Sequence, residues 1–374
     1  MRITFKQNCL LLAFVLFSFA LVAQSSLAPT ADKYPKFLSV TANYGVVWKH
    51  RSTIEGLPDA KPKGIELNFG WQTTGKKAWQ QLHNYPRWGF QFLYYNLGAP
   101  DQLGHGFYFT PYLDLFALKR PKHELYFKIG TGIAFFTKYY DEETNPHNTL
   151  ISLPVNMSGL FSINYRYLIT DHWSALLGFN FNHASNGSLR QPNLGINVPS
   201  IQLGTHYTFH PERLTYAKME LPEYKKSWTW FNNISFSTKQ SPSEPLNDVN
   251  YLALTFSSHV GKRLTRKSMI VAGMDGCYDE SLRYTLQDNP DYEAGKYPIW
   301  RFAAVAGYEF VLTEKTHIVM QNAFYIYDPY GLDVPVYQRY GFRFMPFKNF
   351  YGAYYLKTHL GKADFWEFAL GVKI

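Results

Sequence analysis

The chain has 374 residues and a formal charge of +9; 46% of the residues are hydrophobic and 18% aromatic, an aromatic share well above ordinary usage. Such a length permits two or three soluble domains, and the basic balance favours anionic partners, phosphorylated lipid head groups or nucleic acid among them. The first residues exclude most of those options. Arg2 and Lys6 make a basic start, Leu10 to Val22 an apolar run, and Ala23, Ser25, Ser26 and Ala28 a small-residue segment. This is the pattern of a secretory signal peptide, placed at residues 1–23, and no later stretch has the uninterrupted apolar length of a membrane helix. An exported chain is expected to bind no nucleic acid. Cys9 falls within the signal, so Cys277 is the single thiol expected in the mature chain, and no internal disulfide can form.

Beyond the signal the sequence alternates with period two and almost nowhere with helical period. Ile65, Leu67, Phe69 and Trp71 alternate with Glu66, Asn68, Gly70 and Gln72, giving one greasy face and one polar or small face. Trp300, Phe302, Ala304 and Ala306 alternate with Arg301, Ala303, Val305 and Gly307, and at the C-terminus Trp366, Phe368, Leu370 and Val372 alternate with Glu367, Ala369, Gly371 and Lys373. Aromatic residues crowd the strand ends, as in the interfacial girdles of an outer-membrane barrel.

Short turns are expected near residues 118–122, 169–172, 262–267, 313–316 and 345–348, and longer polar loops near 50–62, 140–149, 239–248, 278–297 and 328–335. Short and long connections largely alternate, which is the asymmetry between periplasmic turns and extracellular loops in such barrels. The reading is therefore an all-β, transmembrane antiparallel barrel of about 16 strands (12 to 16), inserted in the bacterial outer membrane. Two connections are too long for the short side, residues 73–86 and 210–226. The second, HPERLTYAKMELPEYKK, has the composition of a linker between residues 37–209 and residues 227–374. One continuous barrel is expected, with the C-terminal strands completing it; two tandem barrels of about eight strands each are the alternative.

One stretch, FNHASNGSLRQPNLGIN at residues 181–197, carries the chemistry. Trp173, Ala175, Leu177, Phe179 and Phe181 share the greasy face, and its next two members are His183 and Ser185. Residues two apart on one strand lie about 7 Å apart at Cα, so an imidazole and a hydroxyl can meet by ordinary rotamers. That is the relation of a general base to an activated nucleophile. The bland alternative is two polar side chains at a barrel rim. Counted upward from the periplasm, this is the seventh strand, and its end faces outside at the depth of the outer leaflet.

His183, Ser185 and Asn186, followed by Gln191, Pro192, Asn193, Gly195 and Ile196, resemble the local signature of the PagL family of lipid A 3-O-deacylases, in which His-x-Ser-Asn precedes a Pro-Asn-x-Gly loop. That family is an eight-stranded outer-membrane barrel with a serine, histidine and glutamate triad on its lipid-facing side. The resemblance spans residues 37–209 and leaves residues 227–374 outside it. It implies an esterase that removes an acyl chain from lipid A, acting on lipopolysaccharide in the outer leaflet; separately, no metal-ligand spacing or phosphate-cradling glycine loop stands out in the sequence, so no cofactor or metal is expected. Ser185 would be the nucleophile and His183 the base, with Asn186 and the backbone around Gly187 and Ser188 at the oxyanion position. Apart from the resemblance, the charge of Arg190 and of the other outer-loop Lys and Arg suits lipid A phosphates, the alternative being that they are simply solvated.

The sequence departs from the family where the triad acid should stand, because Asn197 occupies that place. By parity with Ile201 and Leu203 it faces lipid, and its carbonyl oxygen can accept a proton from the imidazole. Glu142 or Glu143, in a neighbouring outer loop, is a second source of a carboxylate. A non-enzymatic channel or structural barrel with a vestigial site is the competing function. The inward residues Asp275, Arg301, Glu309, Arg339, Arg343, Lys357 and Glu367 read as a polar interior network or, in a wide barrel, a pore lining. LKTHLGKAD, with Lys357, Thr358, His359 and Asp364, reads as a solvated hairpin tip.

Overall fold

The computed structural model describes residues 34–49, 59–221, 223–241, 249–360 and 362–374. The expected signal peptide with Cys9, and the central parts of the loops at 50–58 and 242–248, lie outside the described residues.

The first strands are β1 (Lys36–Gly45), β2 (Lys63–Gln72), β3 (Arg87–Asn96) and β4 (His105–Lys119), with a short helix α1 (Ala78–Leu82) in the long connection before β3. They are followed by β5 (His123–Phe136), β6 (Val155–Leu168), β7 (Trp173–Ser185) and β8 (Ile196–Thr208). Each strand pairs antiparallel with the next, and β8 returns to β1, from Phe37↔Thr208 to Gly45↔Ser200. The sheet is closed after eight strands.

After residues 209–227 come β9 (Trp228–Gln240), β10 (Asn250–Arg263), β11 (Ser268–Asp279) and β12 (Trp300–Thr313). The loop before β12 carries α2 (Ser281–Thr285) and α3 (Pro290–Glu293). The remaining strands are β13 (Thr316–Tyr327), β14 (Val336–Phe344), β15 (Phe350–His359) and β16 (Lys362–Lys373), and β16 closes on β9 through Phe368↔Phe236 and Leu370↔Ile234. The sixteen-strand total agrees with the expectation, but the single continuous barrel does not: the chain forms two closed eight-stranded barrels. The physical reason is local closure. The free edge of β1 lies within reach as soon as β8 forms, and every unpaired backbone group left on an open edge would be costly in lipid.

The alternation read from the sequence sets inside against outside in both barrels. Leu177, Phe179, Ile201 and Leu203 are exposed on the outer wall of the first, and Phe302, Phe324, Ile326 and Leu370 on that of the second. Eight strands leave an interior just wide enough for side chains to fill, and here it is filled with charge. In the first barrel Arg87 pairs with Asp114 at 3.0 Å and Glu124 at 3.3 Å, and Lys128 with Glu66 at 3.1 Å. In the second, Arg339 lies 2.9 Å from Asp275 and 2.5 Å from Glu367, and Arg343 lies 2.6 Å from Glu309. The inward residues expected from the sequence thus form an ion-pair network inside a narrow barrel, not the lining of a wide pore.

The hairpin between β15 and β16 is a further correction. Lys357, Thr358 and His359 are buried, and Asp364 lies 2.7 Å from the buried Lys239, so these charges face inward, while Leu360 and Lys362 beside the turn are exposed. A bulge explains it: Lys357 and His359 continue the inward row of β15, and the register shift between Lys357↔Phe365 and Thr358↔Ala363 leaves Asp364 as an extra residue that reaches Lys239.

Two closed sheets predict a test. A protease site inserted at Glu223 should yield two fragments that each keep the heat-dependent gel migration of a folded barrel. If cleavage abolished that behaviour in either fragment, closure within each half would be contradicted.

Candidate active site

The site is assembled by the pairing of β7 with its two neighbours. On one side His183 stands opposite Asn197 of β8, and on the other it stands opposite Gly159 of β6. Directly opposed residues share a face of the sheet, so all three belong to the outer wall, on the end of the barrel that carries the longer loops. Ser185 follows at the last position of β7.

The structure brings three of the sequence-derived residues into one chain of hydrogen bonds. His183 Nδ1 lies 2.7 Å from Asn197 Oδ1, and His183 Nε2 lies 3.1 Å from Ser185 Oγ. An amide oxygen only accepts, so the imidazole proton sits on Nδ1 and donates to Asn197. Nε2 is then left with a lone pair that accepts the Ser185 hydroxyl proton. This is the tautomer a general base needs. Ser185 is buried, and His183 and Asn197 are half-buried.

The loop after Ser185 is held from below. Asn186 gives its backbone N–H to Asn193 Oδ1 at 3.2 Å and its side-chain amide to Ser152 Oγ at 2.9 Å. Leu194 and Gly195 donate to the carbonyls of Thr149 and Leu150. Gly187 and Ser188 are both left-handed, with φ of 61° and 62°, so the chain turns away immediately behind the hydroxyl. Gly195, with φ of 78°, packs against the imidazole: an added Cβ would lie 2.7 Å from His183 Cε1 and 3.3 Å from Ser185 Cβ. A side chain there would meet the ring that positions the proton. At Gly159 the opposite holds, since an added Cβ meets nothing within 4 Å and the outer wall beside His183 is open.

The other candidates are not brought in. Glu142 and Glu143 are exposed, and the backbone of Glu143 donates to Asp141 within its own loop; Nδ1 of His183 is occupied by Asn197. Arg190 is exposed at the loop tip. Among the described residues no group of acidic, histidine or cysteine side chains has the arrangement of a metal site. Sequence reasoning had not assigned roles to Gly195, Asn193, Ser152 or Gly159. The first two lie in the quoted signature, where a glycine before a strand and an asparagine in a loop are visible signals. Ser152 and Gly159 become relevant only through strand register.

The two closed sheets with greasy outer walls define the class, a barrel protein of the outer membrane, here with a hydrogen-bonded Ser185, His183 and Asn197 chain on the exterior of the first barrel. The comparisons give the family. The model described as lipid A 3-O-deacylase (PagL) matches residues 63–206, and the one described as acyloxyacyl hydrolase, C-terminal domain, matches residues 228–374. The chain belongs to this PagL family, and its second half, which lay outside the resemblance read from the sequence, is covered as well. Solved structures similar to parts of the chain include Neisserial surface protein A, at 8% identity and a TM-score of 0.34 over 46% of this chain and 97% of that one. The outer membrane enzyme PagL is another, at 16% identity and a TM-score of 0.32 over 44% of this chain and 97% of that one. No curated protein matches the sequence.

The tautomer is measurable without any substrate. In nitrogen spectra of histidine-labelled protein, the resonances that vanish in His183→Gln should be those of a neutral ring protonated at Nδ1. Asn197→Leu should redistribute that proton between the two nitrogens; an unchanged tautomer would remove Asn197 from its orienting role.

Proposed function

We propose that the protein is an outer-membrane esterase that removes an ester-linked acyl chain from lipid A in the outer leaflet. The observation that carries this reading is the continuous hydrogen-bonded chain Ser185, His183, Asn197 on the lipid-facing wall. Ser185 Oγ attacks the ester carbonyl carbon while its proton passes to His183 Nε2. The resulting oxyanion is met by the amides of Gly187 and Ser188 behind the nucleophile, since the Asn186 amide is already given to Asn193. Asn186 supports that turn through its bond to Ser152. Collapse expels the alkoxide of the cleaved ester, which takes the proton from His183, and leaves the acyl chain on Ser185. Water, deprotonated by the same Nε2, then releases the fatty acid and restores the serine.

Asn197 in place of an acid has a defined consequence. It fixes the ring and the tautomer, yet it adds no charge to stabilise the imidazolium formed during attack. In the serine-protease template an acid-to-amide change costs about 10⁴ in rate, because the amide there selects the wrong tautomer. Here the amide oxygen faces Nδ1, so the orienting part of the acid's role is kept and only the electrostatic part is lost. Arg190, exposed in the same loop, would pair with a lipid A phosphate. The channel reading has less support, since ion pairs fill the interiors of both barrels.

Ser185→Ala should abolish acyl loss, read by mass spectrometry of lipid A from cells that make the protein. Its stability should fall by no more than about 1.5 kcal/mol, the net worth of the one buried hydrogen bond lost to His183. Undiminished deacylation by that variant would sink the nucleophile assignment. Gly159→Leu fills the open wall beside His183; it should slow hydrolysis of a long-chain para-nitrophenyl ester by about tenfold or more while sparing the butyrate ester, because only the long chain has to lie over that wall. Equal slowing of both would place the acyl chain elsewhere.

A further inference from the structure

At the short-turn end of the first barrel, opposite to the site above, the interior opens into a cleft of about 470 Å³. Six cationic residues line it, Lys36, Arg87, Lys119, Arg120, Arg166 and Lys218, against the single carboxylate of Glu124. Glu124 is already shared between Arg87 at 3.3 Å and Arg166 at 2.6 Å, and Asp114, behind Arg87, neutralises one charge more. Arg87, Arg166 and Lys119 at the base of the cleft thus face two carboxylates. Two of the donors are buried without a protein partner, Nη2 of the fully buried Arg87 and Nζ of Lys119. Both cations stack on Phe116, at 4.7 and 4.4 Å from its ring centre, so they are held near one another despite their like charge.

The connection that follows β8 completes the cleft. Tyr216 lies over the Lys119 ammonium at 4.4 Å and against Tyr85, and Ala217 donates to the carbonyl of Thr74 at 2.9 Å. Leu168 and Leu214 add apolar wall. Buried cations without counter-charge are costly, and two guanidiniums with an ammonium converging from β3, β4 and β6 present the donor set that suits the oxygens of a phosphate.

We propose that this mouth is a binding site for a phosphate dianion, either free or as the monoester head of a lipid whose chains lie against the leucine wall. The site is separate from the proposed esterase and does not depend on it. Isothermal titration of the full-length protein in nonionic detergent tests it, with inorganic phosphate in one arm and phosphatidic acid in mixed micelles in the other. Saturable binding of either, weakened about tenfold or more by Lys119→Met and unaltered by Lys315→Gln at an exposed turn of the second barrel, is the expected result. Equal affinities in the two arms identify the free anion as sufficient, and binding of phosphatidic acid alone identifies a lipid head group. Absence of binding by the unaltered protein in both arms overturns the proposal, as does binding that chloride matches or that Lys119→Met leaves untouched.

Discussion

The register between β7 and β8 is the constraint on which the site depends. It sets Asn197 directly opposite His183, where the side chains share one face and their polar atoms meet at 2.7 Å. Because side chains alternate along a strand, a slip of one residue would send His183 and Ser185 into the ion-filled interior and turn Asn180 and Asn182 towards lipid. The greasy rows of Leu177, Phe179, Ile201 and Leu203 on the same strands make that slip prohibitive. The hydrophobic alternation that anchors the barrel in a membrane therefore also fixes the geometry of the proposed catalytic chain.

The two interiors serve the same end by different chemistry. A narrow barrel cannot leave its inward polar groups to bulk water, so they must satisfy one another. Asp275 is met by Arg339, His259 and Tyr337, and Glu309 by Arg343 and His317. Removing one member of such a set leaves an uncompensated buried charge, at a cost of about 3–5 kcal/mol. The walls that result are stiff, which suits a site built on a strand and not on a mobile loop. Gly195 shows how little tolerance there is at the rim, since even one methyl group would meet the imidazole.

Much of this was legible in the sequence, because a period of two is unambiguous once the greasy face is assigned to lipid. It placed His183, Ser185 and Asn197 on one wall, and it gave Arg339, Arg343 and Glu367 to the interior. What the period could not reveal was where the sheet closes. Alternation looks the same on either side of residues 210–226, and a connection between barrels has the composition of a long turn within one. The hairpin at Lys357 to Asp364 was misread because charged residues near a tip look solvated, and the bulge that lets Asp364 reach Lys239 interrupts the period of two. Gly159 and Ser152 left no signal, since their roles come from strand pairing and loop docking with residues distant in sequence.

The account stands on Ser185 being an activated nucleophile, and reaction with a fluorophosphonate ester is the most direct measure of that property. The folded protein is predicted to take up one phosphonyl group per chain, mapped by peptide mass spectrometry to Ser185. Labelling should be lost in His183→Gln and slowed in Asn197→Leu. A folded protein whose Ser185 stays unlabelled, or is labelled equally fast without His183, would contradict it.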